Sequence, residues 1–195
     1  MIFYKIIRKI YSLYTTKFMR FYKVGSKCLV LKPCYITPNC ISLGNNVSIF
    51  NSARIEGVFK YNHKKFDPKI YIGNNVTVQQ NVHITCADSI FIDDYVAIAS
   101  NVTITDIIHP YENIDIPIEN QNIIYNSVNI GFGTKIYNNS VILPGVSIGK
   151  HCVIGANSVV NISIPDYSVA CGSPAKIIKK YSFELSKWIG VNEKT

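Results

Sequence analysis

Four histidines, His63, His83, His109 and His151, are the side chains of this 195-residue chain best suited to moving a proton near neutral pH. A hydroxyl is a poor nucleophile until a base accepts its proton as it attacks, and an imidazole is the natural base for that task. His109 is one candidate, although a lone loop histidine is more often a solvated residue. In Thr105-Asp106-Ile107-Ile108-His109-Pro110-Tyr111 it stands at the start of a long polar stretch, residues 105–127. Asp106, three residues earlier, either orients the imidazole, binds a hydroxyl of the acceptor, or is an Asx-type turn residue. Asn81 and His83 flank Val82 and are candidates for lining the same cleft. His151 lies in a tight turn and His63 in a Lys-rich stretch, and both read as surface residues.

Other chemistries are less well served. The histidines are 20, 26 and 42 residues apart, so no sequence-local pair seeds a three-histidine zinc site, and no metal is expected. Six cysteines contain no CxxC pair and, with no secretory signal to carry them to an oxidising compartment, read as reduced thiols of a cytoplasmic protein. Gly131-Phe132-Gly133 lacks the third glycine and the helix of a dinucleotide fingerprint.

The chain carries 20 Lys and Arg against 12 Asp and Glu, but the excess is local. No acidic residue precedes Glu56, whereas Lys5, Arg8, Lys9, Lys17, Arg20, Lys23 and Lys27 crowd the start. The body is therefore near neutral, which argues against nucleic-acid binding. At 100° per residue Lys5, Arg8, Lys9, Ser12, Thr16, Arg20 and Lys23 share one helix face, and Phe3, Ile6, Ile7, Ile10, Tyr14, Phe18 and Phe21 the other. Such an arm either lies on anionic lipid through residues 1–24 or packs on the body of the protein or a neighbouring subunit.

The elements that must position His109 come from a repeat. Leu43, Ile49, Ile55, then Ile72, Val78, Ile84, then Ile92, Ile98, Ile104, then Ile130, Ile136, Ile142, Ile148, Ile154 and Val160 recur every six residues within their blocks. Leu, Ile and Val make up only 55 of the 195 residues, so chance does not supply fifteen such positions. Four residues after each aliphatic the slot is often small or branched, as at Val47, Ala53, Thr134, Ser140 and Ser158; Phe59 and Asp88 depart from this. A period of six fits short strands joined by turns, one aliphatic per strand pointing inward, three hexads making one triangular coil. The phase breaks at residues 58–69, between Ile84 and Ile92, and at residues 105–127. Long loops in such a solenoid are usually functional.

The hexads, the stretch ILPGVSIGKHCVIGA at residues 142–156 and Gly172-Ser173-Pro174-Ala175-Lys176 resemble the hexapeptide-repeat acyltransferases, over roughly residues 28–180. The run from Asn81 to Tyr111 is most similar to O-acetyltransferases of bacterial surface polysaccharides. The resemblance implies an all-β solenoid, a left-handed parallel β-helix with an N-terminal amphipathic helical arm, a long inserted loop and a short C-terminal helix. Its handedness is an exception to the usual right-handed crossover. The expected divisions are an arm at 1–27, a catalytic β-helix at 28–166 with the loop at 105–127, and a capping segment at 167–195.

The resemblance also implies acetyl-CoA as acyl donor, a homotrimer with the pantetheine arm lying between subunits, a sugar or glycan acceptor, and His109 as the catalytic base. Asn138, Ala156 and Asn161 correspond to the family's donor-binding positions. Where the family often has Lys one residue on, this chain has Ile162, which leaves Lys176, Lys179 and Lys180 as candidates for the nucleotide phosphates. The implied activity is O-acetylation of a sugar hydroxyl. Amino-sugar N-acetylation on the same scaffold and a non-catalytic assembly or binding role are the alternatives.

Overall fold

A computed structural model describes residues 2–191. Its body is a stack of triangular coils whose sides form three parallel sheets. The first side runs through Lys23–Val24, Ile41–Leu43, Lys69–Ile72, Ser89–Ile92, Val128–Ile130 and Ser147–Ile148. The second begins at Leu29–Val30 and reaches Val153–Ile154 and Ser168–Cys171, and the third climbs from Tyr35–Ile36 through Arg54–Gly57, His83–Cys86, Thr103–Thr105 and Val141–Ile142 to Val159–Val160. Mostly parallel strands in this arrangement make a parallel β-helix and fit the left-handed form that the resemblance implies.

The six-residue period accounts for this architecture. All fifteen aliphatic positions are 2% exposed or less, and they stack in register, as in Ile55, Ile84, Ile104, Ile142 and Val160 on the third side. Each buried Ile contributes about 1.5–3 kcal/mol of hydrophobic stabilisation. The small-residue slot is also buried, where Thr134, Ser140 and Ser158 return their hydroxyls to corner carbonyls. Corners turn through a left-handed residue, often Asn: Asn46, Asn75, Asn101, Asn139 and Asn157 all have φ between 56° and 62°, a conformation Asn tolerates better than most residues. The amides of Asn101, Asn139 and Asn157 then form a ladder at 3.0 Å per step along the second corner. Stacking also leaves no room for some side chains: a Cβ on Gly44 would lie 2.7 Å from the Gly73 carbonyl carbon.

Both ends differ from a plain coil. The helix Ile2–Phe18 lies against Leu29–Val30, and buried Thr15 accepts the Val30 N–H at 3.3 Å. Ile7 and Tyr11 are half-buried and Met19 packs on the core, while Ile6, Ile10, Tyr14 and Phe18 are exposed together with Lys9 and Lys17. The arm thus packs on the first coil and still presents a basic-flanked apolar stripe. The side chains of Phe3, Lys5, Arg8 and Thr16 lie outside the described residues.

The expected C-terminal helix is absent among the described residues. Ser168–Cys171 continues the second sheet past residue 166, and Lys176–Ser182 and Lys187–Gly190 add to it as an antiparallel ribbon. The paired isoleucines of Lys176-Ile177-Ile178 favour extended backbone, and the open edge of the second sheet offers unpaired N–H and C=O groups that a strand satisfies.

Candidate active site

The third corner, where the third side hands the chain back to the first, carries both large insertions. Residues 58–67 contain the hairpin Lys60–Tyr61 with Lys64–Lys65. The long loop opens and closes on a two-residue antiparallel pair, Ile107–Ile108 with Ile124–Tyr125.

The neck of this loop is fastened to the coil below it. Asp106 is fully buried; its carboxylate accepts the N–H groups of Ala87 and Asp88, both at 2.8 Å, and the Cys86 thiol at 3.3 Å. Its carbonyl accepts the Asn126 N–H at 2.9 Å. At the returning end, Ser127 donates to Asp88 at 3.0 Å, and Ser89 does so at 2.9 Å. The extra residues between Ile84 and Ile92 therefore form the corner that receives the loop. Of the roles expected for Asp106, the observed geometry is that of a neck anchor: buried, with both carboxylate oxygens bonded to the coil below and neither of them to His109. Burial pushes its carboxyl up, against the opposing pull of the two N–H groups.

His109 follows the strand Ile107–Ile108 and is exposed. The ring of Tyr61 meets it edge-on, 5.4 Å between centroids at 81°. His83 is half-buried on the outer surface of the third side, beside Thr103, and Thr85 lies beside Thr105 at the root of the loop. His83 and the start of the His109 loop thus share one side on adjacent coils. The His83 Nε2 lies 2.8 Å from the Thr85 Oγ1, and burial, reinforced by nearby Arg54, lowers the His83 pKa and favours the neutral ring. Arg54 itself pairs with Glu56. Asn81 occupies the second corner with φ 57°, exposed, its N–H bonded to the Asn51 carbonyl at 3.2 Å. His63 is exposed; His151 sits exposed at the first corner against Tyr167 and Trp188.

The donor candidates fall in two places. Asn138 and Ala156 are exposed at the second corner, where the Asn157 N–H bonds the Asn138 carbonyl at 2.9 Å. The segment 172–175 folds across the same corner, with Gly172 N–H on the Ser158 hydroxyl and Ala175 N–H on the Val159 carbonyl, so exposed Lys176 begins there. Asn161 is also exposed but follows Val159–Val160, at the opposite end of the third side. Between them Val141, Leu143 and Val159 are half-buried and make an apolar strip that continues the column of His83 and Thr103. Lys179 lies apart from Lys176, lining a shallow recess of the second side with Lys135, His151 and Trp188. The apolar strip and Tyr61 escaped the sequence reading; the period-two outward position of Val141 and Val159, and the phase break at 58–69, were the available signals.

Among the described residues no cluster of His, Cys, Asp and Glu is arranged to hold a metal ion. Residues 127–161 match the family described as bacterial transferase hexapeptide (six repeats). The chain is 35% identical over 170 residues to a putative lipopolysaccharide biosynthesis O-acetyl transferase of Escherichia coli K12, covering 83% of each protein. It is 34% identical over 116 residues to the galactoside O-acetyltransferase of the same strain, covering 59% of this chain and 56% of that one. Its fold is shared with AntD, an N-acyltransferase from Bacillus cereus solved with dTDP and coenzyme A. There the TM-score is 0.73 at 24% identity, over 90% of this chain and 92% of that one.

Proposed function

Because the chain is an acyltransferase of the hexapeptide-repeat family, we propose that it transfers an acetyl group from acetyl-CoA to a sugar hydroxyl of a bacterial surface polysaccharide or its precursor. The observation that carries this reading is the placement of an exposed imidazole, His109, at the mouth of a loop rooted on the same side as His83 and the apolar strip Val141, Leu143 and Val159. The acceptor hydroxyl attacks the thioester carbonyl carbon while His109 takes its proton. The tetrahedral oxyanion, held by a backbone N–H, collapses with cleavage of the carbon–sulfur bond, and the proton passes to the departing thiolate. The similarity to a lipopolysaccharide O-acetyl transferase and a galactoside O-acetyltransferase supports a sugar hydroxyl as acceptor. Acetyl-CoA consumption, followed as release of free thiol, should rise on adding sugars that carry hydroxyls and no amine. Thiol release that appears only with amino sugars would replace this reading by N-acetylation.

The donor runs along the strip, its pantetheine arm passing Asn138, Ala156 and Asn161 and its phosphates reaching Lys176, with a neighbouring subunit of a homotrimer closing the other wall; Lys179, on the second side, is left out of this path. Lys176→Ala is expected to raise the acetyl-CoA KM up to about fivefold, the value of an exposed ion pair. Acetyl-dephospho-CoA, lacking the 3′-phosphate, should be unaffected, and an equal change for both donors would remove Lys176 from that phosphate.

Among the described residues no helix is long and apolar enough to cross a membrane. The arm instead rests on anionic lipid through Ile6, Ile10, Tyr14 and Phe18, flanked by Lys9 and Lys17. Since Thr15 ties the helix to Val30, substitution tests this better than truncation. Ile10→Glu with Phe18→Glu should weaken binding to phosphatidylserine vesicles by at least about tenfold, because each side chain forfeits about 1.5–3 kcal/mol of apolar burial. Turnover of a soluble acceptor should not change. Undiminished vesicle binding by the double variant would contradict the lipid contact.

A further inference from the structure

The two places where the repeat loses its phase, residues 58–69 and 105–127, are distant in sequence and joined in the fold. Tyr61 donates its hydroxyl to the Glu119 carboxylate at 2.6 Å. Asn62, turning the hairpin with φ 49°, donates its amide to the carbonyls of Glu119 and Gln121 at 3.1 and 3.2 Å. At the base of the same hairpin, Phe66 meets Tyr125 edge-on at 6.0 Å, and the Lys64 ammonium lies over both rings. The long loop braces itself as well, the Gln121 amide donating to the carbonyls of Asn113 and Ile116 at 2.9 Å each.

We propose that Tyr61 is a positioning residue for His109: the hairpin holds the Tyr61 ring edge-on to the imidazole, and the bond from its hydroxyl to Glu119 fixes that ring against the long loop. The inference rests on the reading of His109 as the base. An exposed loop imidazole otherwise samples several rotamers on a nanosecond timescale, and only the one facing the acceptor hydroxyl is productive. An edge-to-face contact selects one ring plane, and holding a reacting group in its productive geometry is worth orders of magnitude in rate when lost completely. Glu119 is 58 residues from Tyr61, so the contact also ties the loop carrying His109 to a coil two levels below it. The hairpin has no counterpart in the hexad pattern, and its most specific polar contacts all go to the long loop.

In the full-length protein, Tyr61→Ala should lower kcat by about tenfold, the loss of one orienting contact, with the acetyl-CoA KM within about twofold of wild type. Tyr61→Phe, which keeps the ring and loses the hydroxyl, should lose about threefold. Glu119→Ala, which leaves the Glu119 main-chain carbonyl to accept the hydroxyl at 3.1 Å, should lose no more than Tyr61→Phe, and Glu119→Gln, which still presents a side-chain oxygen to the hydroxyl, should restore most of the rate. In a His109→Ala background, Tyr61→Ala should cost nothing further, because a residue that acts through the imidazole has nothing left to position. The same tenfold loss with and without His109, or an unchanged kcat in Tyr61→Ala, would overturn the proposal. His109→Ala with wild-type turnover would be a separate failure, that of the base itself.

Discussion

Alanine at position 109 is expected to lower acceptor turnover by about two to four orders of magnitude, the usual contribution of a positioned general base. The side chain is exposed and lies outside the aliphatic column, so its removal opens no core cavity, and thermal unfolding and assembly should match wild type. Acetyl-CoA affinity, measured by calorimetry, should change little, because the strip proposed for the donor lies along Val141 and Val159 and not in the long loop. The pH dependence supplies the sign. A base must be unprotonated to accept the hydroxyl proton, so wild-type kcat/KM should fall on the acid side as the imidazole takes up a proton, and that limb should vanish in the variant. A variant that keeps both its rate and its acid limb would point to His83. Burial and Arg54 hold His83 in the neutral form, so a limb due to His83 should lie at lower pH than that of an ordinary imidazole.

The second large effect is on stability. Asp106→Ala removes the acceptor from the buried N–H of Ala87 and the part-buried N–H of Asp88; a buried donor left unpaired costs about 1–3 kcal/mol, and a part-buried one less. A destabilisation of about 2–4 kcal/mol should follow, seen as a fall in Tm of about 5–15 °C. Asp106→Asn keeps one oxygen for one of the two donors and should fall between. The wild type should also show a characteristic slope with pH. Burial raises the Asp106 carboxyl in the folded protein, so the native state holds that proton more tightly than the unfolded chain. Its contribution to stability is full below the ordinary aspartate value and is lost as pH rises through the raised one; Asp106→Asn should remove that slope. An Asp106→Ala protein melting with wild type would show that the loop neck is held by other contacts.

The reach and the limits of the sequence follow from which contacts are local. The hexad column was legible because each coil repeats the same geometry: Ile84 is buried for the same reason as Ile55 below it and Ile104 above it. His109 was singled out because the long loop that carries it interrupts that period and the resemblance implies a catalytic histidine there; its position alone would have suited a solvated residue. Asp106 was ambiguous because its partners, Ala87 and Asp88, are 19 and 18 residues away and stack on it only once the coil is closed. Tyr61 was invisible for the same reason at greater range, although the break at 58–69 marked its hairpin. The C-terminal helix was a carry-over from the family; the local sequence Lys176-Ile177-Ile178 and the open sheet edge favour a strand. Asn138 and Asn161, treated together as donor contacts, lie at opposite ends of the third side, a separation that spacing along the chain does not reveal.

The central claim is that an acetyl group ends on a sugar oxygen. The most direct measurement is mass spectrometry of the acceptor after incubation with isotopically labelled acetyl-CoA, before and after mild alkali. An acetyl ester is expected: a labelled acetyl increment on a sugar of this glycan class that mild alkali removes, present with the wild type and nearly absent with His109→Ala. A labelled acetyl group that survives the alkali, as an amide on an amino sugar does, would contradict it.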